Sequence, residues 1–180
     1  MQSVIFKPYW LVTTLRESPA NTVYSWFILM LTMIIFILLV ALQWWLIVVR
    51  KPVTFAVAMS AVSLLLVSYA VYTYFVLYLT KKTSRFLQTF TCLLMAYLMI
   101  HLCAMPLVWL NYALLNKQIS MAVLFYINTL YLTLTLGLTI WQFLAMAHIY
   151  HQALDIDFPK GILVSLGLMA FNFLTFSLWR

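Results

Sequence analysis

The chain has 180 residues, of which 67% are hydrophobic and only 7% are charged. A soluble core could not absorb this composition, and the ten Lys and Arg are scattered over predicted helix ends instead of forming the clustered basic surface that nucleic-acid binding needs. The net charge is +7, and we interpret the basic side chains as anchors that hold membrane helices at the lipid headgroups.

Residues 1–24 are predicted to form an N-terminal interfacial segment. Pro8 is suited to open a short helix at its first turn, and Ser18-Pro19 would close it. Tyr9 and Trp10 beside Lys7 are typical of an amphipathic helix lying at a membrane surface. The alternative is a disordered leader in which these aromatic residues occur by chance.

Five long apolar runs occupy residues 25–180, and each is close to or above the ~20 residues that a helix needs to cross a bilayer. The runs are continuous and do not alternate with polar residues, so helices are predicted in preference to barrel strands. The predicted fold is all-α, a bundle of five transmembrane helices. The spans cover residues 26–49, 53–79, 86–110, 121–147 and 161–179.

The distribution of basic residues predicts the orientation of these spans. With the N-terminus inside, six Lys and Arg lie on the cytoplasmic side and four on the other. The positive-inside rule then favours a cytoplasmic N-terminus, although Arg50 and Lys51 argue against it. We expect a multi-pass protein of the bacterial inner membrane.

Small and polar residues recur on one face of three spans. Such stripes should face other helices, because polar groups in hydrocarbon are costly without partners. Helix packing is the first interpretation, and a polar path lined by spans three to five is the alternative. The stripes are Ala56, Ser60, Ser63 and Ala70 in the second span, Asn128, Thr135, Thr139 and Gln142 in the fourth, and Gly161, Ser165 and Asn172 in the fifth.

His101 lies in the third span, five residues before Pro106. An ionisable group inside a span, near a proline that disrupts the helix, suggests a proton relay or a gate. The chain has no carboxylate within a span to partner it. A neutral imidazole bonded to an Asn or Gln of another helix is therefore the preferred interpretation.

His148, His151 and Asp155 share one helical face at the end of the fourth span. Imidazoles and a carboxylate suit Zn, Mn or Fe, whereas an ordinary solvated helix end is the alternative. Three ligands leave a tetrahedral ion one protein ligand short, and His101 should lie too deep to complete the set. We predict that these residues form no tight metal site.

Motifs of soluble enzyme chemistry are missing: the sequence contains no G-x-S-x-G, C-x-x-C, H-E-x-x-H or Gly-rich phosphate loop. A rhomboid-like arrangement would have to combine Ser165 with His101, at a spacing that carries no information. We expect a non-enzymatic protein without a cofactor. Its partners are expected to be the lipid bilayer and either other membrane proteins or further copies of itself, with no nucleic acid.

Three features give the chain its family resemblance: Ser18-Pro19 before the first span, the joint RFLQTF at residues 85–90, and an aromatic- and proline-bearing span from Ala96-Tyr97 to Pro106. With its five spans and little mass outside them, the chain resembles the Yip family of membrane proteins. That resemblance implies a cytoplasmic N-terminal segment, tightly packed spans and no catalytic residues. In eukaryotic relatives it implies a role in organising trafficking membranes and binding small GTPases.

Three functions follow as hypotheses. The first is a Yip-like packing or adaptor element of a membrane assembly. The second is a small transporter or channel subunit, and the third is a metal-dependent membrane enzyme that uses the His148 cluster.

Overall fold

The computed structural model describes residues 2–47, 55–114 and 120–179, and within these ranges it is helical without strands. Two short 3-10 turns, Pro19–Asn21 and Thr83–Arg85, lie between the longer elements. The helices are α1 (Gln2–Thr13), α2 (Trp26–Ile47), α3 (Phe55–Leu79), α4 (Phe86–Leu114), α5 (Met121–Leu154) and α6 (Phe158–Trp179).

The helices α2 to α6 are each long and apolar enough to cross a membrane. The all-helical class is thereby confirmed, and each predicted span coincides with a helix of sufficient length and apolar composition. The fourth span is longer than predicted, because α5 continues past Ala147 to Leu154. Its 34 residues correspond to about 51 Å at 1.5 Å per residue, more than the ~30 Å of a bilayer's hydrocarbon core.

The central helix of the bundle is α4, which contacts α1, α2, α3 and α5. Around it, α2 packs on α3, α3 packs on α6, and α6 packs on α5. The core contains an aromatic cluster of Phe36, Tyr69 and Tyr97, in which the two tyrosine rings stack with centroids 4.8 Å apart. Three helices, α2, α3 and α4, are therefore joined at one level.

The small-residue stripe predicted for the second span is wrong at its start. Ala56 and Ser60 are exposed, whereas Ala58, Ala61 and Ser68 are buried. The helix is apolar on every side, so its sequence carries little information about which face is turned inward.

The predicted N-terminal helix is present, but Pro8 lies inside α1 and not at its first turn. The helix packs against α4 and α5 with Tyr9 and Val12 buried. Its end is attached to α5, because the Trp141 indole N–H donates to the carbonyl of Thr13 at 3.0 Å. The placement of α1 at a membrane interface stays a prediction.

An ionic cluster lies at one end of the bundle, and we call this end of the bundle the basic end. Lys82 and Arg85, between α3 and α4, both bind Asp155, at 2.7 and 2.9 Å. Asp155 adopts a left-handed conformation with φ of 47° and ends α5. The paired Lys82 and Arg85 hydrogen bonds hold the pKa of the Asp155 carboxyl below its ordinary value.

Candidate functional site

His101 is joined to α2 by two hydrogen bonds with Gln43. The His101 Nδ1 and the Gln43 Oε1 lie 2.7 Å apart, and the Gln43 amide nitrogen donates to the His101 backbone carbonyl, also at 2.7 Å. Gln43 is only 3% exposed. The predicted partner of His101, an Asn or Gln of another helix, is thus confirmed.

This arrangement determines how the imidazole is protonated. A backbone carbonyl only accepts, so the Gln43 NH₂ group must face it and the Gln43 Oε1 must face the ring. The His101 Nδ1 therefore carries a proton and donates it to Gln43. In a neutral ring the Nε2 atom is then a hydrogen-bond acceptor.

His101 and Gln43 border a cavity of about 200 Å³ between α2, α4 and α5. Thr135, Thr139 and Gln142 of α5 face them across the cavity. The remaining walls are Trp44, Ile100, Ala104, Leu107, Val108, Tyr131 and Leu138.

A second cavity of about 210 Å³ lies between α3, α4, α5 and α6. Thr139 and Gln142 line this cavity too, so they form the wall common to both. On its far side Asn172 of α6 lines the cavity and is hydrogen-bonded to the Ser68 hydroxyl of α3. We call the two cavities together the polar chamber.

Hydrogen-bonded buried side chains adjoin the polar chamber in the direction of the basic end, whereas the α5 residues that line it include exposed threonines. Tyr97 donates to the sulfur of Met146 at 2.6 Å, and the buried Tyr150 hydroxyl lies 2.9 Å from the Thr73 hydroxyl. Thr135 and Thr139 are exposed instead. The chamber's lining on α5 is therefore accessible at the surface of the bundle.

Of the polar residues predicted to line a path, the structure brings His101, Thr135, Thr139, Gln142 and Asn172 to the polar chamber. The prediction that Asn128 faces other helices is wrong. Asn128 is exposed on the first half of α5, where the helix is mostly exposed.

Sequence reasoning did not include Gln43, Tyr97 and Tyr131 in the site. Gln43 is the only Gln, Asn or charged residue within α2, and that isolation is a signal which could have found it. The two tyrosines carry no such signal, since the chain contains 11 tyrosines.

The three candidate metal ligands are directed to separate partners. The His148 Nε2 lies 2.9 Å from the Glu17 carbonyl, His151 bonds the Ile156 carbonyl, and Asp155 binds Lys82 and Arg85. Among the residues that the structure describes, no three His, Cys, Asp or Glu are grouped so that they could hold a metal ion. In this conformation the histidines attach the N-terminal segment and the α5–α6 joint.

Comparisons with protein-family models, with curated proteins and with solved structures find no match for this chain.

Proposed function

We propose that the protein is a small transporter or channel subunit that binds an uncharged polar solute in the polar chamber. The observation that carries the proposal is the wall shared by both cavities. Thr139 and Gln142 connect the part of the chamber that holds His101 to the part that holds Asn172. Hydrogen-bonding groups thus continue across the interior from α2 to α6.

The chemistry of the walls selects the class of solute. The chamber's polar groups among the described lining are amides, hydroxyls, one imidazole and the Trp44 indole, without Lys, Arg, Asp or Glu. A charged solute would lose its hydration there without an opposite charge to compensate. Each cavity is also below the ~300 Å³ at which pockets for drug-sized ligands begin, so the solute is small.

Flux through proteoliposomes tests this proposal, with glycerol and urea as the solutes. Vesicles that contain the purified chain should re-swell after osmotic shrinkage several-fold faster than empty vesicles. Thr139→Trp should bring the rate down to that of empty vesicles. Thr139 lines both cavities, so the indole would occupy part of the space in each.

Thr133→Trp is the matched control for the flux measurement. Thr133 is an exposed threonine of the same helix and bonds the carbonyl four residues earlier, as Thr139 does. This variant should retain the wild-type rate. Wild-type vesicles that re-swell no faster than empty ones would refute the proposal.

A second candidate function, a packing or adaptor element of a membrane assembly, is favoured by the first half of α5. Residues 121–140 are mostly exposed, including Phe125, Tyr126 and Asn128. The Asn128 side chain makes no hydrogen bond within the part of the chain that the structure describes. An amide is both donor and acceptor, so two copies of Asn128 could satisfy each other across a pair of chains.

The resemblance to the Yip family stays a proposal and agrees with this second candidate. Co-purification of two differently tagged copies in mild detergent tests self-association. Asn128→Val should reduce the recovery of the second tag, whereas Thr129→Val on the neighbouring position should not. Equal recovery from all three proteins would argue against an α5 contact through Asn128.

A further inference from the structure

A third cavity lies outside the polar chamber, on the outer face of α3 near the basic end. Its volume is about 410 Å³, larger than either cavity of the chamber, and it shares no lining residue with them. The lining is almost wholly apolar. The lining residues are Ala70, Val71, Tyr74, Phe75, Tyr78 and Phe86, and we call this cavity the α3 groove.

Aromatic rings shape the α3 groove. Tyr74 meets Phe86 edge to face with centroids 5.7 Å apart, and Tyr78 stacks on Tyr74 at 6.4 Å. Tyr74 and Tyr78 are both more than half exposed. Exposed tyrosines one turn apart, close to the end of a spanning helix, are typical of the headgroup level of a bilayer.

A lysine, Lys81, follows the end of α3, three residues after the groove residue Tyr78. Its backbone N–H donates to the Tyr78 carbonyl at 3.0 Å. The neighbouring cations Lys82 and Arg85 share the single carboxylate of Asp155. Lys81 is exposed and has no ion pair within the described part of the chain.

We infer that the α3 groove and Lys81 together bind an anionic phospholipid. An acyl chain fits the apolar aromatic walls, and the headgroup phosphate meets the Lys81 ammonium where the groove approaches the helix end. The basic end has three cations for one carboxylate at this joint, so a headgroup with net negative charge is preferred over a zwitterionic one. A soluble anion would not use the groove, whose walls offer it almost no hydrogen bond.

Native mass spectrometry of the detergent-purified full chain tests this inference. Phosphatidylglycerol and phosphatidylcholine with identical acyl chains differ only in the headgroup, which is anionic in the first lipid and zwitterionic in the second. The wild-type protein should bind the first several-fold more tightly. Lys81→Gln should remove most of that preference, and Val71→Trp should weaken the binding of both lipids, because the indole would occupy the groove.

Lys160→Gln is the charge control, since it removes one positive charge near the start of α6 at the same end of the bundle, although Lys160, unlike Lys81, is paired with an aspartate, Asp157. It should leave the preference in place. Lys81 and Val71 are both exposed, so their variants should keep the wild-type melting temperature.

Three results would overturn the inference. The first is an equal affinity of the wild type for both lipids. The second is a loss of preference in Lys160→Gln as large as that in Lys81→Gln, which would indicate a diffuse charge effect without a site. The third is displacement of phosphatidylglycerol by millimolar inorganic phosphate, which would assign the cations to a soluble anion.

Discussion

The Gln43–His101 pair shows how a single polar residue can organise a helix contact inside an apolar bundle. Both hydrogen bonds of the Gln43 amide go to His101, one to its ring and one to its backbone. The backbone carbonyl lies next to the turn in which Pro106 removes a hydrogen-bond donor. A polar side chain from a neighbouring helix is a common way to satisfy backbone groups near such a proline.

Asp155 has an exposed side chain, in contrast to the buried Gln43. Its carboxylate accepts from Lys82 and Arg85, which also donate to the carbonyls of Leu154 and Ala153 at the end of α5. The ion pairs themselves are exposed and should contribute little individually. Their main effect is to connect the α3–α4 joint with the α5–α6 joint.

Asp155→Asn should lower the melting temperature slightly at neutral pH, because two cations lose their carboxylate. The folded-state pKa is depressed below the ordinary 3.8, so this stabilisation is fully present above that value. It should vanish as the pH falls through the folded-state pKa. Melting curves of wild type and variant between pH 7 and pH 2.5 should therefore converge at the acid end.

Asp157→Asn is the control for this pH series. Asp157 pairs with Lys160 at 3.2 Å, and both side chains are highly exposed. Its replacement should have less effect at every pH. A constant difference between Asp155→Asn and wild type down to pH 2.5 would contradict the assignment of the depressed pKa to this ion cluster.

The pairing of α5 with α6 depends on a glycine. A Cβ atom at Gly161 would lie 2.6 Å from the Ala147 carbonyl oxygen and 3.1 Å from the His151 Cβ. The nearest atom belongs to the backbone and cannot rotate away. Close helix approach at a small residue is the usual means of packing in membranes, where a lipid-facing alternative is equally apolar.

Gly161→Ala should consequently destabilise the protein by about 1–3 kcal/mol, the usual cost of overpacking, since α6 must move away from α5. Thermal unfolding in a single detergent measures this. Gly137→Ala is the control, because a Cβ at Gly137 would meet nothing within 4 Å, and alanine is the better helix former. Equal melting temperatures for Gly161→Ala and wild type would show that the two helices are not in this close contact.

The two halves of α5 have different environments. Its second half is buried from Ala145 to Ala147 and at Ile149 and Tyr150, whereas residues 121–140 are mostly exposed. Three threonines of the first half, Thr129, Thr133 and Thr139, donate their hydroxyls to carbonyls of their own helix. This separation of α5 from its neighbours opens the polar chamber and leaves Asn128 without a partner in the described chain.

For the whole molecule, the basic end gathers Lys81, Lys82, Arg85 and Lys160 through the order of the helices. By the positive-inside rule we predict that this end is cytoplasmic, together with the N-terminus. Reporter fusions at the C-terminus and between Thr83 and Ser84 should report opposite sides, with the second in the cytoplasm. A cytoplasmic C-terminus would contradict either the orientation or the number of spans.

The sequence by itself determined the number, type and approximate bounds of the five helices that are long and apolar enough to span a membrane. A run of about 20 apolar residues is a local property, and hydrocarbon leaves the backbone no alternative to the helix. The bond between His101 and an amide was predictable for a related reason, because an imidazole inside a span needs a polar partner and the chain offers few.

Only the tertiary structure decided which faces meet. Spanning helices that are apolar on all sides have no amphipathic signal, so Ala56 and Asn128 were assigned inward although both are exposed. For the same reason Gln43 could be linked to His101, and Thr139 and Gln142 to Asn172, only once the helices were arranged around α4. The polar chamber and the α3 groove each take residues from at least two helices, and the contacts between those helices are non-local.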